Sequence, residues 1–250
     1  MPVLVSPTPP NRLRRWAAAS RDLLFPPACA ICGRYGDRIC SQCAQQVEPV
    51  PTTLCERCGR IQPLRIHCCA ACLANPQPVL HQVRAAALHV EPLRHLIHLL
   101  KYEGRPDLAP DLARYLAANF GGPEWHALVS AFDAIVPVPL HADRLRQRGY
   151  DQAALLAEGL SVRTRIPLRQ DLVARIKFTR AQVGLNAAER HANVQDAFAV
   201  ADSCAGLHIL LIDDVYTTGA TLAACAQTLH DNGSALVCAL TLAQPSHTQP

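Results

Sequence analysis

The apolar positions of this chain change rhythm at about residue 82. From there on, unbroken apolar runs alternate with amphipathic stretches, the pattern of buried parallel strands joined by covering helices. Val83 to Val90 reads as a strand. Leu93, Leu96, Ile97 and Leu100 recur at helical spacing behind Pro92, which suits a first helical turn. A second helix is predicted from Pro110 to Phe120, stopped by Gly121 and Gly122. Ala134 to Val138 reads as a strand, 141–149 as an arginine-rich loop, and Gln152 to about Arg163 as a helix. Leu172 to Ile176 is a short strand, and 177–195 a polar segment with a weak helix at 187–194. Leu207 to Ile212 is the strongest strand signal, followed by a helix over 220–231 and a last strand over 235–242. The fold class predicted is α/β, with a mostly parallel sheet.

Before residue 82 the pattern is different. Residues 11–24 place Leu13, Trp16, Ala17, Leu23 and Leu24 loosely on one face, a short amphipathic helix that Pro26 and Pro27 stop. Residues 29–72 have too little apolar periodicity to bury much surface, the profile of a small module held by metal. Asn75-Pro76-Gln77-Pro78 reads as a linker. The expected organisation is an N-terminal helix (1–25), a metal-held module (26–74) and an α/β domain (82–243).

The chain has twelve cysteines, and nine of them lie between Cys29 and Cys72. No apolar run approaches the ~18 residues of a membrane-spanning helix, and Ala17 to Ala19 is too short for a secretory core, so a cytoplasmic protein without membrane insertion is expected. In that compartment thiols stay reduced, and crowded cysteines argue for zinc rather than disulfides. The pairs are Cys29/Cys32, Cys40/Cys43, Cys55/Cys58 and Cys69/Cys72, each spaced C-x-x-C. Two such turns complete a tetrahedral thiolate site, so four imply two structural zinc ions. The simplest grouping is 29/32/40/43 with 55/58/69/72; an interleaved one is also open. Cys69 has the standard spacing, although its neighbour Cys68 competes for the role. Redox C-x-x-C turns or buried thiols are the alternative.

Charge refines this picture. The formal +4 divides into +5 over residues 1–80 and −1 over the rest. Two zinc tetrathiolates would bring the first part to about +1, so net charge alone does not argue for nucleic acid.

The chemistry-bearing stretch is Ile212-Asp-Asp-Val-Tyr-Thr-Thr-Gly-Ala-Thr221. A buried strand delivers Asp213 and Asp214 at its carboxyl end, where ligands bind on open α/β sheets. Thr217, Thr218 and Thr221 follow. Gly219 frees the backbone to approach an anion, and the next helix presents its unpaired N–H groups. A phosphate cup beside an acid pair suits a phosphorylated sugar. Only 36 residues follow Asp214, too few for a receiver domain, and no GxxxxGK[ST] loop accompanies a Walker B reading. An acid pair that merely caps a helix leaves the threonines unexplained.

Ile212–Thr221 resembles the phosphoribosyl pyrophosphate (PRPP) signature of type I phosphoribosyltransferases. Three further stretches narrow the resemblance: Ile135 to Ala153, Thr179 to Phe198, and Leu100-Lys101-Tyr102. With the cysteine module in front, residues 20–243 resemble the ComF family of competence proteins, including its GntX-like group. That family combines a double zinc ribbon with a phosphoribosyltransferase domain. The resemblance implies that Asp213 and Asp214 hold the ribose hydroxyls, directly or through magnesium, and take part in catalysis. It implies a 5′-phosphate cradle of Thr217, Thr218, Gly219, Ala220 and Thr221. Arg144, Arg146 and Arg148 directly follow a strand and are placed to meet the pyrophosphate, with Lys101 and Arg180 as further candidates for the same anion. Arg180, Gln182, Arg190 and Asn193 fall where a lid is expected. Between Arg144 and Arg190 the net charge is +6, which such a ligand would favour. One residue departs from the family, Asp151 in place of the usual Asn, and its role stays open.

Three functions are compatible with these residues. One is phosphoribosyl transfer to an acceptor the sequence does not name. Another is a non-catalytic PRPP-binding module of DNA uptake, with single-stranded DNA or a helicase-like protein as partner. The last is a zinc-ribbon adaptor with a vestigial site. Tyr150, Phe178 and Phe198 are the few aromatics near the basic stretch, thin support for base stacking.

Overall fold

The computed structural model describes residues 26–74, 79–177 and 196–246. The predicted helix at 11–24, the linker at 75–78, and the lid segment with Arg180, Gln182, Arg190, Asn193 and the weak helix lie outside the described residues. The chain divides after Gln45 into two compact units. The first holds one C-x-x-C pair of turns and the helical turn Ser41–Ala44. The second, from Gln46, carries the other cysteine turns together with the α/β core.

Six strands are found among the described residues: β1 (Val83–Leu88), β2 (Ala134–Pro137), β3 (Val173–Arg175), β4 (Phe198–Val200), β5 (His208–Val215) and β6 (Leu236–Gln244). Four form one sheet in the order β1-β6-β5-β2, and every pairing in it is parallel. Five helices longer than one turn join them: α1 (Leu93–Tyr102), α2 (Ala109–Phe120), α3 (Ala142–Arg148), α4 (Gln152–Thr164) and α5 (Ala220–Asp231). The predicted mostly parallel α/β sheet is thus the one found.

The period of two in a strand explains the layers. Ile209 and Leu211 of β5, with Val237 and Ala239 of β6, join a core that includes Leu222, Cys225, Ala226 and Leu229 of α5 and Val173 and Phe198 of the β3–β4 pair. Leu210 and Ile212 point the other way, towards the side on which α2 and α4 pack together. Both faces being covered, the central strands read as continuous apolar runs.

Two expectations need correction. The strand near 172–176 exists, but it pairs antiparallel with β4 outside the main sheet. Residues 167–169 already pair with Ile135, taking the free edge of β2 that a fifth strand would need. The stretch 141–149 is not a loop: 142–148 is helix α3. His141 caps its start, accepting from the Asp143 N–H at 3.2 Å, and Gly149 ends it at φ +83°. The favourable caps at both ends outweigh the polar composition that reads as loop.

Candidate ligand-binding cleft and metal sites

At the carboxyl ends of the strands lies a cleft of about 400 Å³. Helix α1 contributes Lys101 and Tyr102 to it, α3 Arg144 and Arg148, β3 Arg175, and β5 with its loop Asp213, Asp214, Thr217, Gly219, Ala220 and Thr221. Helical α3 sorts its arginines. Arg144 and Arg148, four residues apart, share the face that meets the cleft. Arg146 points away and pairs with Asp143 at the surface. Arg148 lies 5.4 Å over the Tyr102 ring and hydrogen-bonds the Gln152 side chain. Arg175 has no motif to mark it, and sequence reasoning missed it. Burial, with Arg144 adding, lowers its ordinarily high pKa.

Strand β5 runs to Val215, so the two aspartates are strand residues on opposite faces. Asp214 shares the parity of Ile212 and meets α1: Lys101 Nζ lies 2.7 Å from Asp214 Oδ1. Asp214 as a whole is 4% exposed, and its Oδ2 has no hydrogen-bond partner. Asp213 faces the α5 side, where Oδ1 accepts from the Asp214 N–H at 2.8 Å. Burial pushes the Asp213 carboxyl up, with Asp214 adding and Lys101 opposing. The Lys101 ammonium is pushed up despite burial, because Asp214 is beside it.

Asp151 caps α4. Its Oδ1 accepts from Ala153 and Ala154 N–H at 2.8 and 3.2 Å, and its Oδ2 from Leu140 N–H at 2.8 Å. Tyr150 donates to the Leu100 carbonyl at 2.6 Å. Helix α3 is therefore tied down just before its start and just after its end, which fixes the arginine face.

The loop 216–219 leads into α5. At Gly219, φ is +83°, and a Cβ there would lie 2.7 Å from the buried Tyr216 ring, so only glycine fits. Thr217, Ala220 and Thr221 face the cleft, whereas Thr218 does not line it. The Thr218 hydroxyl accepts from Ala220 N–H at 3.4 Å.

The cysteines gather as 29/32/40/43 and 55/58/69/72, each set with its sulfurs within 4.8 Å of one another. A tetrahedral zinc with Zn–S near 2.3 Å requires sulfurs about 3.8 Å apart. The Cys32–Cys40, Cys55–Cys72 and Cys58–Cys69 sulfurs lie 3.8, 3.9 and 3.6 Å apart, so the donor sets fit zinc. Cys69, not Cys68, enters the second set; Arg57 reaches the Cys68 sulfur at 3.7 Å. Backbone N–H groups support the thiolates, with Cys40 N donating to Cys29 Sγ and Cys69 N to Cys55 Sγ. Burial raises the Cys29 thiol, but the backbone N–H groups of Cys40, Cys32 and Ile31 outweigh it and bring it to about 6.

An α/β protein with a parallel sheet and two tetracysteine ribbons is thereby defined. The family model of the double zinc ribbon domain matches residues 20–77. DNA utilization protein YhgH of Escherichia coli (strain K12) is 34% identical over 222 residues, 86% of this chain and 96% of that one. Competence protein F of Haemophilus influenzae is 34% identical over 187 residues, 74% of this chain and 80% of that one. The chain belongs to this ComF family. Among solved structures, glutamine phosphoribosylpyrophosphate amidotransferase from B. subtilis overlaps with a TM-score of 0.39 at 17% identity, over 58% of this chain and 30% of that one. Among the described residues no helix is long and apolar enough to cross a membrane.

Proposed function

We propose that this protein binds PRPP with magnesium in the cleft and serves the handling of DNA, the role for which its relatives are named. One observation carries the reading. Asp214 presents a buried carboxylate oxygen without a partner, in a cleft lined by Lys101, Arg144, Arg148 and Arg175. Leaving a buried acceptor unmet costs about 1–3 kcal/mol, which a ribose hydroxyl or a cation would recover. The surrounding cations suit a polyphosphate. In this reading Asp213 and Asp214 hold the ribose from the two faces of the strand end. Thr217, Gly219, Ala220 and Thr221 take the 5′-phosphate with the α5 N–H groups. Arg144, Arg148 and Lys101 face the pyrophosphate, joined by Arg175. Magnesium, when bound, would neutralise phosphate charge beside the two carboxylates.

The reaction that follows from such binding is displacement at ribose C1. A nitrogen acceptor forms the C1–N bond and loses a proton, the C1–O bond breaks, and pyrophosphate leaves with the electron pair. Arginines stabilising the departing charge would then matter more than a strong base. A second reading keeps PRPP binding by this chain without turnover, with single-stranded DNA or a helicase-like protein as its partner. The relatives' names favour it.

The test is a melting curve with and without Mg·PRPP. At a hundred times Kd, binding contributes about 2.7 kcal/mol, or roughly 5–10 °C for a chain of this size. Asp213→Asn/Asp214→Asn is expected to abolish the shift; a shift that survives in this variant would refute the site. Pyrophosphate release with nitrogen acceptors favours transfer. Salt-dependent anisotropy with labelled single-stranded DNA tests the second reading.

A further inference from the structure

The second ribbon touches the loop that the proposed function assigns to the 5′-phosphate. Arg60 Nη2 donates to the Thr218 carbonyl at 3.3 Å. The same guanidinium lies close enough to the Tyr216 hydroxyl for each to shift the other's titration. Tyr216 is buried, and its ring is the atom set that Gly219 abuts. One cation therefore grips the loop at Thr218 directly and at Gly219 through Tyr216. Among the described residues no salt bridge engages Arg60, so these loop contacts are its evident work.

Arg60 owes its position to the metal knuckle. Cys55 N donates to the Arg60 carbonyl, and Gly59 N to the Cys55 carbonyl, both at 2.9 Å. Gly59 has φ +69°, and a Cβ there would lie 2.4 Å from the Val83 carbonyl oxygen, so the knuckle sits directly on the start of β1. Val83 N donates to the Arg57 carbonyl at 3.1 Å. Around the sulfurs the ribbon's own core is only Cys55, Cys69 and Cys72 with Cys58, Ile66 and Cys68. So little apolar surface cannot hold a turn without zinc.

We propose that Arg60 is a positioning residue of the phosphate loop, and that ligand affinity depends through it on the second zinc site. The affinity half rests on the PRPP reading above; the bracing half does not. A guanidinium bonded to the Thr218 carbonyl and set beside Tyr216 holds the peptide that leads into Gly219 and the start of α5. It also adds positive potential behind an anion cup.

Two measurements test this on the full, zinc-loaded chain: amide hydrogen exchange over 216–221 without ligand, and Mg·PRPP affinity by calorimetry. Arg60→Met is expected to keep two zinc ions per chain and to exchange these amides about tenfold faster. It is also expected to bind about tenfold more weakly, the scale of a charge-assisted hydrogen bond. Arg60→Lys should recover part of both, since one donor to Thr218 is restored. Arg65→Met, which removes a ribbon arginine paired with Glu56 and Glu124, should change neither. Tyr216→Phe leaves the ribbon untouched and should loosen the same amides, which keeps the brace testable if Arg60→Met loses zinc. Unchanged exchange in zinc-replete Arg60→Met, or in Tyr216→Phe, overturns the brace. Wild-type chain that binds no Mg·PRPP overturns the affinity half together with the ligand reading, while the exchange result still decides the brace.

Discussion

Asp151 is the place where a single carboxylate does the most for the site without touching it. Its three acceptor contacts serve two ends: Oδ1 takes the first free N–H groups of α4, and Oδ2 takes Leu140 N–H at the entry to α3. Asp151→Ala removes all three. Losing a side-chain N-cap costs about 0.5–2 kcal/mol, and stranding the part-buried N–H of Leu140 adds about 1–3 kcal/mol. A total near 2–4 kcal/mol corresponds to a fall in melting temperature of roughly 4–16 °C at this chain length. Asp151→Asn keeps the Oδ1 contacts but sets an amide donor against Leu140 N–H, so about half that loss is expected. Urea unfolding of the ligand-free chain measures both. If the carboxylate instead acts mainly by repelling an anionic ligand, Asp151→Ala will tighten Mg·PRPP binding and leave stability unchanged. A stability loss below ~0.5 kcal/mol, far under the cap value, would sink the capping account.

Two other outcomes follow from the same structure. Burial and Asp214 hold the Asp213 carboxyl above its ordinary range, so the folded chain keeps a proton that the unfolded chain has released. This group's contribution to stability is full below about pH 4 and is lost as pH rises through the raised value. Asp213→Asn should therefore outlast wild type in ligand-free melts, by a margin that widens from acid to neutral pH; a margin that narrows contradicts the assignment. In the ribbons, metal analysis should find two zinc ions per chain, still two in Cys68→Ser, and one in Cys69→Ser. The reverse pattern would move the ligand to Cys68.

The layers and the strands of the main sheet were legible because buried strands must be continuously apolar, and because Gly121, Gly122 and the Pro92 turn punctuate the helices. Cysteine spacing carried the zinc grouping as far as its simplest pairing, and distances between sulfurs did the rest. What escaped was decided by partners far away in sequence. Residues 142–148 are too polar to read as a helix, yet His141, Gly149 and the distant Leu100 carbonyl make one. The strand at 173–175 left the main sheet because 167–169 reached Ile135 first. Arg175 enters the cleft through that displacement, and Arg60 reaches the loop from 158 residues away. Neither carries a local signal.

The stagger of the sheet explains why the cleft is where it is. β2 follows β5 only as far as Pro137 beside Ile212, with a last bond from Val138 N to the Ile212 carbonyl. β6 continues alongside β5 to Ala243 beside Val215. The final three residues of β5 are therefore paired on one edge and open on the other, and Asp213 and Asp214 lie in this overhang. Beyond Val138 the chain turns away through Leu140 into α3, which returns two arginines to the gap. An overhanging strand end gives each aspartate its own face, Asp214 against Lys101 and Asp213 against the α5 side. In the proposed reading, a ligand entering from the open edge would meet both carboxylates without their sharing a face. Had β5 stopped at Ile212, the same two residues would have been loop, free to turn together into solvent, and no buried oxygen of Asp214 would await a partner.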